Sequence, residues 1–247
     1  MKHVSPALDI HIAEKRYGAR TVLRDVDIGL RQGEVVSLIG ASGCGKSSLL
    51  SIASGLDRDF QGGITLHGQP LDGVHRDIGF IFQEPRLFPW LTVAQNVAFD
   101  SDNDAAAQKL STRLLTEVGL HEQARSLPKQ LSGGQAQRAA IARGLFSHPR
   151  VLLLDEPFSA VDAFTRMKLQ DLLAAVAERH GLTVLLVTHD IDEALYLSDR
   201  IVLLDSRAGP PRARYEVTAA RPRSRSPAAQ ASLKDAILGE LHATHAI

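Results

Sequence analysis

Residues 35–48 read Val35-Val36-Ser37-Leu38-Ile39-Gly40-Ala41-Ser42-Gly43-Cys44-Gly45-Lys46-Ser47-Ser48. The short apolar opening predicts a buried strand, and the rest fits the pattern GxxxxGK[ST]. Leu49, Leu50 and Ile52 then predict a helix over 47–54 that stops near Gly55. Glycines let successive backbone N–H groups turn inward into a concave anion nest. The following helix adds its positive dipole end. The loop Gly40, Ala41, Ser42, Gly43, Cys44, Gly45, Lys46, Ser47, Ser48 is therefore read as a phosphate cradle. In that reading Lys46 reaches the terminal phosphates and the Ser47 hydroxyl ligates Mg²⁺. A chance glycine-rich turn is the alternative, and the strand-to-helix setting argues against it.

Downstream, Val151-Leu152-Leu153-Leu154-Asp155-Glu156 is a second buried strand, ending in two carboxylates. Ligands of doubly wound sheets sit at the carboxyl ends of strands. Asp155 is placed to hold Mg²⁺ through water, and Glu156 to act as general base on an attacking water. Further strands are expected at 10–12, 22–30, 62–68, 183–187 and 200–204. Helices are expected at 104–118, 135–146, 165–179 and 190–197. Strand–helix alternation beyond Pro149 argues for a mostly parallel sheet covered on both faces, and the helical middle reads as an insertion into it.

Composition agrees with one large domain or two small ones. The chain has 247 residues, 44% hydrophobic and 23% charged, enough apolar material for a large core. Lys+Arg and Asp+Glu both total 28, so the excess of a globally basic nucleic-acid binder is missing. A single Cys excludes an intramolecular disulfide framework and suits a reducing compartment. Residues 1–10 carry no signal-type apolar region, and no run of ~18 apolar residues is present to span a membrane.

Leu131-Ser132-Gly133-Gly134-Gln135 lies between the phosphate loop and Asp155. A Ser and two glycines just before a helix make a second anion site from backbone N–H groups and a hydroxyl. Two half-sites on one chain suggest that the halves meet between two molecules. Here the sequence resembles the ABC-transporter nucleotide-binding subunits, whose LSGGQ signature stands at this place. The resemblance spans roughly positions 8–205. It implies an α/β fold of the P-loop NTPase kind, with a mostly parallel core sheet, an N-terminal antiparallel β subdomain and a helical insertion at about 84–148. Residues 1–205 would form the ATPase domain and 206–247 a basic, Pro-rich extension with a short helix.

Residue by residue, the resemblance implies that Tyr17 stacks on adenine, that Gln83 reaches Mg²⁺ and the attacking water, and that His189 contacts the γ-phosphate. Ser159-Ala160-Val161-Asp162 resembles the family's D-loop, with Val where Leu is usual. Without the resemblance, Tyr17 reads as an ordinary strand-edge residue and His189 as structural. ATP and Mg²⁺ are the implied ligands. Lys46, Gln83, Glu156 and His189 are the implied catalytic set, with Ser47, Gln83 and Asp155 at the metal. Tyr17, residues 40–48, Asp162 and the 132–135 segment of a second copy would hold the nucleotide. Ala136 stands where a longer polar residue is usual, and Ser48 where Thr is common; neither removes a catalytic group. Cys44 sits within the cradle, whose nest and helix end predict a lowered, reactive thiol; the plainer reading is a small residue at a tolerant position.

The stretch Leu87-Phe88-Pro89-Trp90-Leu91-Thr92-Val93, followed by Asn96-Val97, resembles the nitrate/sulfonate/taurine import branch, as do 155–166 and 221–226. Trp90 reads as a partner anchor or as simple packing within the insertion. The resemblance implies integral membrane permease subunits as partners, and a periplasmic solute-binding protein indirectly. It also implies a peripheral place on the cytoplasmic face of a bacterial inner membrane. Aliphatic sulfonate is the first expectation for cargo, with taurine, nitrate and bicarbonate behind it. No nucleic-acid partner is expected, since DNA- or ribosome-acting relatives carry a long coiled coil or two tandem cassettes. A regulatory module holding ATP without turnover is disfavoured by Glu156 and His189. Between 206 and 225 six Arg face one acid, Glu216; that stretch is expected to be solvated, or else an arm for a partner or anionic lipid. Leu233, Ile237, Leu238 and Leu241 predict a short helix packed on the body.

Overall fold

The computed structural model describes residues 6–245 apart from 103 and 206. The start of the N-terminal stretch read above and Ser206 thus lie outside the described residues. Leu8–Tyr17 (β1) and Arg20–Leu30 (β2) pair antiparallel around the Gly18-Ala19 turn. Leu8, Ile10 and Ile12 are buried while Asp9 and His11 face solvent, the period-two pattern of a half-covered strand. Val35–Gly40 (β3) is buried at all six positions and leads into Lys46–Ala53 (α1). Gln61–Leu66 (β4) and Gln69–Pro70 (β5) complete a four-stranded antiparallel sheet in the order β2-β1-β4-β5.

Ile78–Ile81 (β6) precedes the helical insertion of Val93–Val97 (α2), Ala105–Glu117 (α3) and Gly133–Leu145 (α4). The chain then alternates through Val151–Asp155 (β7), Ala163–His180 (α5), Thr183–Val187 (β8), Ile191–Leu197 (α6) and Arg200–Leu204 (β9). Ala213–Glu216 (β10) and Ala231–His245 (α7) close it. The main sheet runs β10-β9-β3-β8-β7-β6, parallel throughout except for β10 against β9. Both sheets thus match the α/β expectation. The short strands β6 and β10 and the five-residue α2 are not foreseen by periodicity, which needs more turns or alternations than these supply.

Alternation along β3 distributes the core. Val36 and Leu38 pack with α1 and the antiparallel sheet, Val35 joins the cluster under α2–α5, and Ile39 joins α6 and α7. Helix starts differ from the pattern-based ones because side chains cap them. Asp162 caps α5 by accepting from the N–H groups of Phe164 and Thr165 at 3.1 and 3.0 Å, so the helix begins at Ala163. Ser132 caps α4, so Gly133 and Gly134 form its first turn instead of preceding it.

The basic segment is solvated only in part, since it also folds onto the body. β10 extends the main sheet, and Ile237 of α7 is fully buried. Arg221 and Arg223 both donate to the Asp199 carboxylate, which also accepts from the Val35 N–H at 2.9 Å; Arg223 is 7% exposed. Three partners for one carboxylate explain why a run of Arg folds back: each guanidinium finds an acceptor on the body. Burial pushes the Asp199 carboxyl up, but Arg221, the Val35 N–H and Arg223 outweigh it and hold the group below its ordinary value of 3.8. Stability from this cluster is therefore present above that value and lost as pH falls through the lower folded value. Asp199→Ala is expected to cost about 2 kcal/mol, read by urea unfolding at neutral pH, with the difference from wild type shrinking in acid.

Candidate functional site

Four chain segments reach one edge because four strands lie side by side and point the same way. β3 pairs with β8, β8 with β7 and β7 with β6, with Leu38 opposite Val187, Val187 opposite Asp155, and Leu154 opposite Ile81. Their carboxyl ends deliver the loop after Gly40, His189, Asp155-Glu156 and Gln83 to a common cleft, where ligands of open α/β sheets bind. The cleft measures about 620 Å³ and is lined by Gly40, Ser42, Gly43, Gly45, Lys46, Ser47, Ser48, Gln83, Glu156 and His189, together with Arg20 and Val22.

The loop has the shape of a cradle. A Cβ on Gly45, at φ +95°, would sit 2.6 Å from Leu23 Cδ2, so only glycine allows this turn. Lys46 Nζ donates to the Gly40 and Ala41 carbonyls at 2.8 and 2.9 Å, which holds the ammonium inside the loop. Ser47 Oγ donates to Asp155 Oδ1 at 3.2 Å, bringing a hydroxyl and a carboxylate together at the head of α1. Burial pushes the Asp155 carboxyl up, opposed by the Ser47 hydrogen bond and reinforced by neighbouring Glu156. Glu156 adopts φ +43°, an uncommon conformation for a side-chain residue and a mark of strain at a working site. Its carboxylate meets His189 Nδ1 at 3.0 Å. Gln83 donates from Nε2 to Ser159 Oγ at 3.2 Å, and Ser159 donates to the Glu156 carbonyl at 3.0 Å.

An all-oxygen donor set suits a hard cation that keeps several ligands from water and substrate. Among the described residues no group of three or more His, Cys, Asp or Glu can hold a metal. The Ser47–Asp155 pair fits Mg²⁺ taking its remaining oxygens from a bound triphosphate and water.

Other expected residues lie apart from the cleft. Tyr17, 53% exposed, places its hydroxyl 3.4 Å from Ser48 Oγ and 3.3 Å from Asp57 Oδ2. Beneath its ring stands Lys15 Nζ, 4.6 Å from the centroid and 2% exposed, paired with Asp57 at 2.9 Å. No residue of 132–135 lines the cleft. Ser132 Oγ accepts from the Gln135 N–H at 3.2 Å while Gln135 Oε1 accepts from the Ser132 N–H at 2.9 Å. The Gly133 and Gly134 N–H groups, in the first turn of α4, have no intrahelical partner. A Cβ on Gly134 would lie 2.4 Å from Thr165 Cγ2, so glycine permits close packing on α5. Asp162 is occupied as the α5 cap.

Sequence reading misses Arg20, Val22 and Lys15. Only the tight turn that pairs Tyr17 with Arg20 puts Arg20 at the loop, where Nη2 lies 3.5 Å from the Gly43 carbonyl. Cys44 departs from the reactive reading: its side chain points inward, 3% exposed, and burial pushes the thiol up in spite of Lys46.

Trp90 is 71% exposed, so simple packing does not account for it. Its ring lies 5.6 Å from Phe88, which stacks on Phe99 at 4.2 Å; Phe99 is itself 54% exposed. The loop bearing them is held from below. Fully buried Asn96 accepts from the Phe88 N–H at 2.7 Å and donates to the Phe88, Leu91 and Thr92 carbonyls. Arg143 donates to the Pro85 and Arg86 carbonyls at 2.8 Å each. Among the described residues no helix is long and apolar enough to cross a membrane.

A family model described as ABC transporter matches residues 23–159. The aliphatic sulfonates import ATP-binding protein SsuB 1 of Xanthomonas axonopodis pv. citri is 58% identical over 249 residues, covering 98% of each chain. SsuB 1 of Pseudomonas aeruginosa is 53% identical over 252 residues, covering 99% of this chain and 100% of its own. Among solved structures, the dimeric post-hydrolysis state of the ATP-binding cassette MJ0796, bound to ADP and Pi, shares 32% identity at a TM-score of 0.74, over 86% of this chain and 100% of that one. The cbiO1 protein of Clostridium perfringens, part of the ABC transporter complex cbiONQ, shares 26% at 0.78, over 86% and 89%.

The inward thiol offers a direct check of the loop. Cys44 is expected to react with Ellman's reagent only slowly in the native chain and at the rate of a free thiol in guanidinium chloride; equal rates would contradict the burial.

Proposed function

The chain belongs to the ABC transporter family, and on that premise we propose that it is the ATP-hydrolysing subunit of an importer for aliphatic sulfonates. The observation that carries the hydrolytic reading is the convergence of phosphate loop, Glu156, His189 and Gln83 at one sheet edge. The cargo reading is supported by relatives of that name that match this chain almost end to end. ATP is the substrate. Its phosphates take the loop N–H groups, with Lys46 exchanging the Gly40 and Ala41 carbonyls for the terminal phosphates. Tyr17, supported from below by Lys15, offers the outer face of its ring to adenine.

Ser47, Gln83 and Asp155 would hold Mg²⁺, which neutralises charge on the phosphates when bound. Glu156 accepts a proton from the attacking water, the water oxygen bonds to the γ-phosphorus, and the bond to the bridging oxygen of ADP breaks. His189 contacts the γ-phosphate and fixes the Glu156 carboxylate. Ser132–Gln135 of a second copy close the site from the other side, the unpaired N–H groups of Gly133 and Gly134 facing the phosphates. Loss of the γ-phosphate removes the contacts that bridge the copies, so the pair reopens.

Work passes to membrane permease subunits at the Phe88–Trp90–Phe99 patch, with a periplasmic binding protein choosing the cargo. In this reading the chain sits at the cytoplasmic face of the inner membrane. Residues 206–247 serve as an extension that braces the ATPase domain.

Glu156→Gln is expected to lower ATP turnover by ~10²–10⁴-fold and to trap an ATP-dependent dimer visible by light scattering. Turnover near wild type would contradict the assignment. Trp90→Ala is expected to weaken co-purification with the permease subunit by about 2 kcal/mol. A strain lacking this gene is expected to lose growth on an aliphatic sulfonate as sole sulfur source; loss on nitrate alone would redirect the cargo.

A further inference from the structure

Two features take no part in the mechanism above, the Arg-rich strap after β10 and the buried carboxyl of Glu193 on α6, and a line of hydrogen bonds joins them. Arg225 donates from Nη1 to Gln170 Oε1 at 2.6 Å and from Nη2 to Asp171 Oδ1 at 2.5 Å. Its guanidinium lies 3.6 Å from the centre of the Tyr196 ring. Gln170, buried on α5, donates from Nε2 to Glu193 Oε2 at 3.2 Å. Glu193, Thr188, Glu156 and His189 line one small pocket. The Thr188 oxygen accepts from the Asp190 N–H at 3.0 Å, and Asp190 Oδ1 accepts from the Glu193 N–H at 3.2 Å. Thr188 and Asp190 flank His189. Lys234 of α7 ties the same helix from outside, through Asp192 at 2.6 Å.

The chemistry of each group gives the line a direction. Arg has donors only, so it fixes the oxygen end of the Gln170 amide and turns the NH₂ end toward Glu193. With Arg225 gone the amide is free to flip and set oxygen against carboxylate. Glu193 then loses a donor in a site where desolvation is the largest influence and pushes its carboxyl up to about 7. The Glu193 carboxyl lines the same small pocket as Thr188 and His189, and the Glu193 N–H is held by Asp190, the residue after His189. A change at Glu193 therefore reaches the turn that carries His189.

We propose that Gln170 and Glu193 are positioning residues that link Arg225 of the C-terminal strap to the His189 turn, so that the strap sets how His189 meets Glu156 and the terminal phosphate. The inference rests on the reading of His189 and Glu156 as hydrolytic groups. It uses the strap as part of the catalytic geometry and not merely as a brace.

The test compares full-length wild type with Arg225→Ala, Gln170→Leu, their double variant, Glu193→Leu and Glu193→Gln. It measures kcat, KM for ATP, thermal melting, and the imidazole NMR signal of His189, assigned by its loss in His189→Gln. Each of the first two variants is expected to lower kcat about tenfold, as a slight misplacement of a reacting group does, with KM little changed. The double variant is expected to fall no further than the worse single one, the sign of one coupled line. The His189 signal is expected to move in all three. Glu193→Gln, which keeps an acceptor for Gln170, restores most of the kcat lost in Glu193→Leu. Lower melting temperatures with unchanged kcat and an unmoved His189 signal in Arg225→Ala and Gln170→Leu would overturn the proposal. Should Glu193→Leu fail to fold, the exposed Arg225→Ala still decides it. Absence of turnover in wild type would instead overturn the hydrolytic reading, and the NMR signal would then decide the line of contacts alone.

Discussion

Everything at the cleft depends on how closely the chain can turn at the end of β3. A Cβ on Gly40 would lie 2.7 Å from Cys44 Sγ and 2.8 Å from the Leu204 carbonyl, so the main chain there is pressed between its own loop and β9. The loop then runs into α1 at Lys46, whose Nζ folds back onto the loop carbonyls. Cys44 fills the inner side of the turn, where a small apolar thiol packs and a larger side chain has no room. The same buried strand is flanked by β8 and β9, and this central place brings His189, Asp155 and Gln83 to it from successive neighbours.

The cleft is rigid below and adjustable above. Beneath it, strands are buried on both faces and three apolar clusters meet along β3. Above it, the polar groups are linked to one another more than to the core: Gln83 to Ser159, Ser159 to Glu156, Glu156 to His189, and the His189 turn through Glu193 to α5 and the strap. Such a layer can exchange partners when substrate arrives without disturbing the sheet. The insertion has its own version of the arrangement, with Arg143 and buried Asn96 holding main-chain carbonyls so that Trp90 stands outside over half-buried Phe88.

Most of this was legible where chemistry demands particular residues at fixed spacing. GxxxxGK[ST], the apolar run into Asp155-Glu156, and Ser132-Gly133-Gly134 each announce a backbone shape, and strand–helix alternation conveys the parallel sheet. What stayed hidden depends on pairing between distant segments. Arg20 reaches the site only through the β1–β2 register, and Lys15 is held under Tyr17 by Asp57, which follows α1. The Arg run reads as solvated until Asp199 and Asp171 are seen beside it. The thiol of Cys44 reads as activated from its neighbours in sequence, whereas the direction of its side chain decides the outcome. Capping bonds at Ser132 and Asp162 lengthen helices beyond their periodic patterns, because one polar side chain satisfies N–H groups that hydrophobic spacing does not register.

Each proposed hydrolytic site is completed by the second copy, since residues 132–135 stand away from the cleft of their own chain. Mixing two inactive variants, Lys46→Ala and Ser132→Arg, tests it most directly. A mixed pair holds one site with an intact phosphate loop from one chain and an intact Ser132 segment from the other. ATP turnover is expected to reappear on mixing, in proportion to the mixed pairs formed. Turnover that stays at the sum of the two separate variants, with mixed pairs demonstrated, would contradict it.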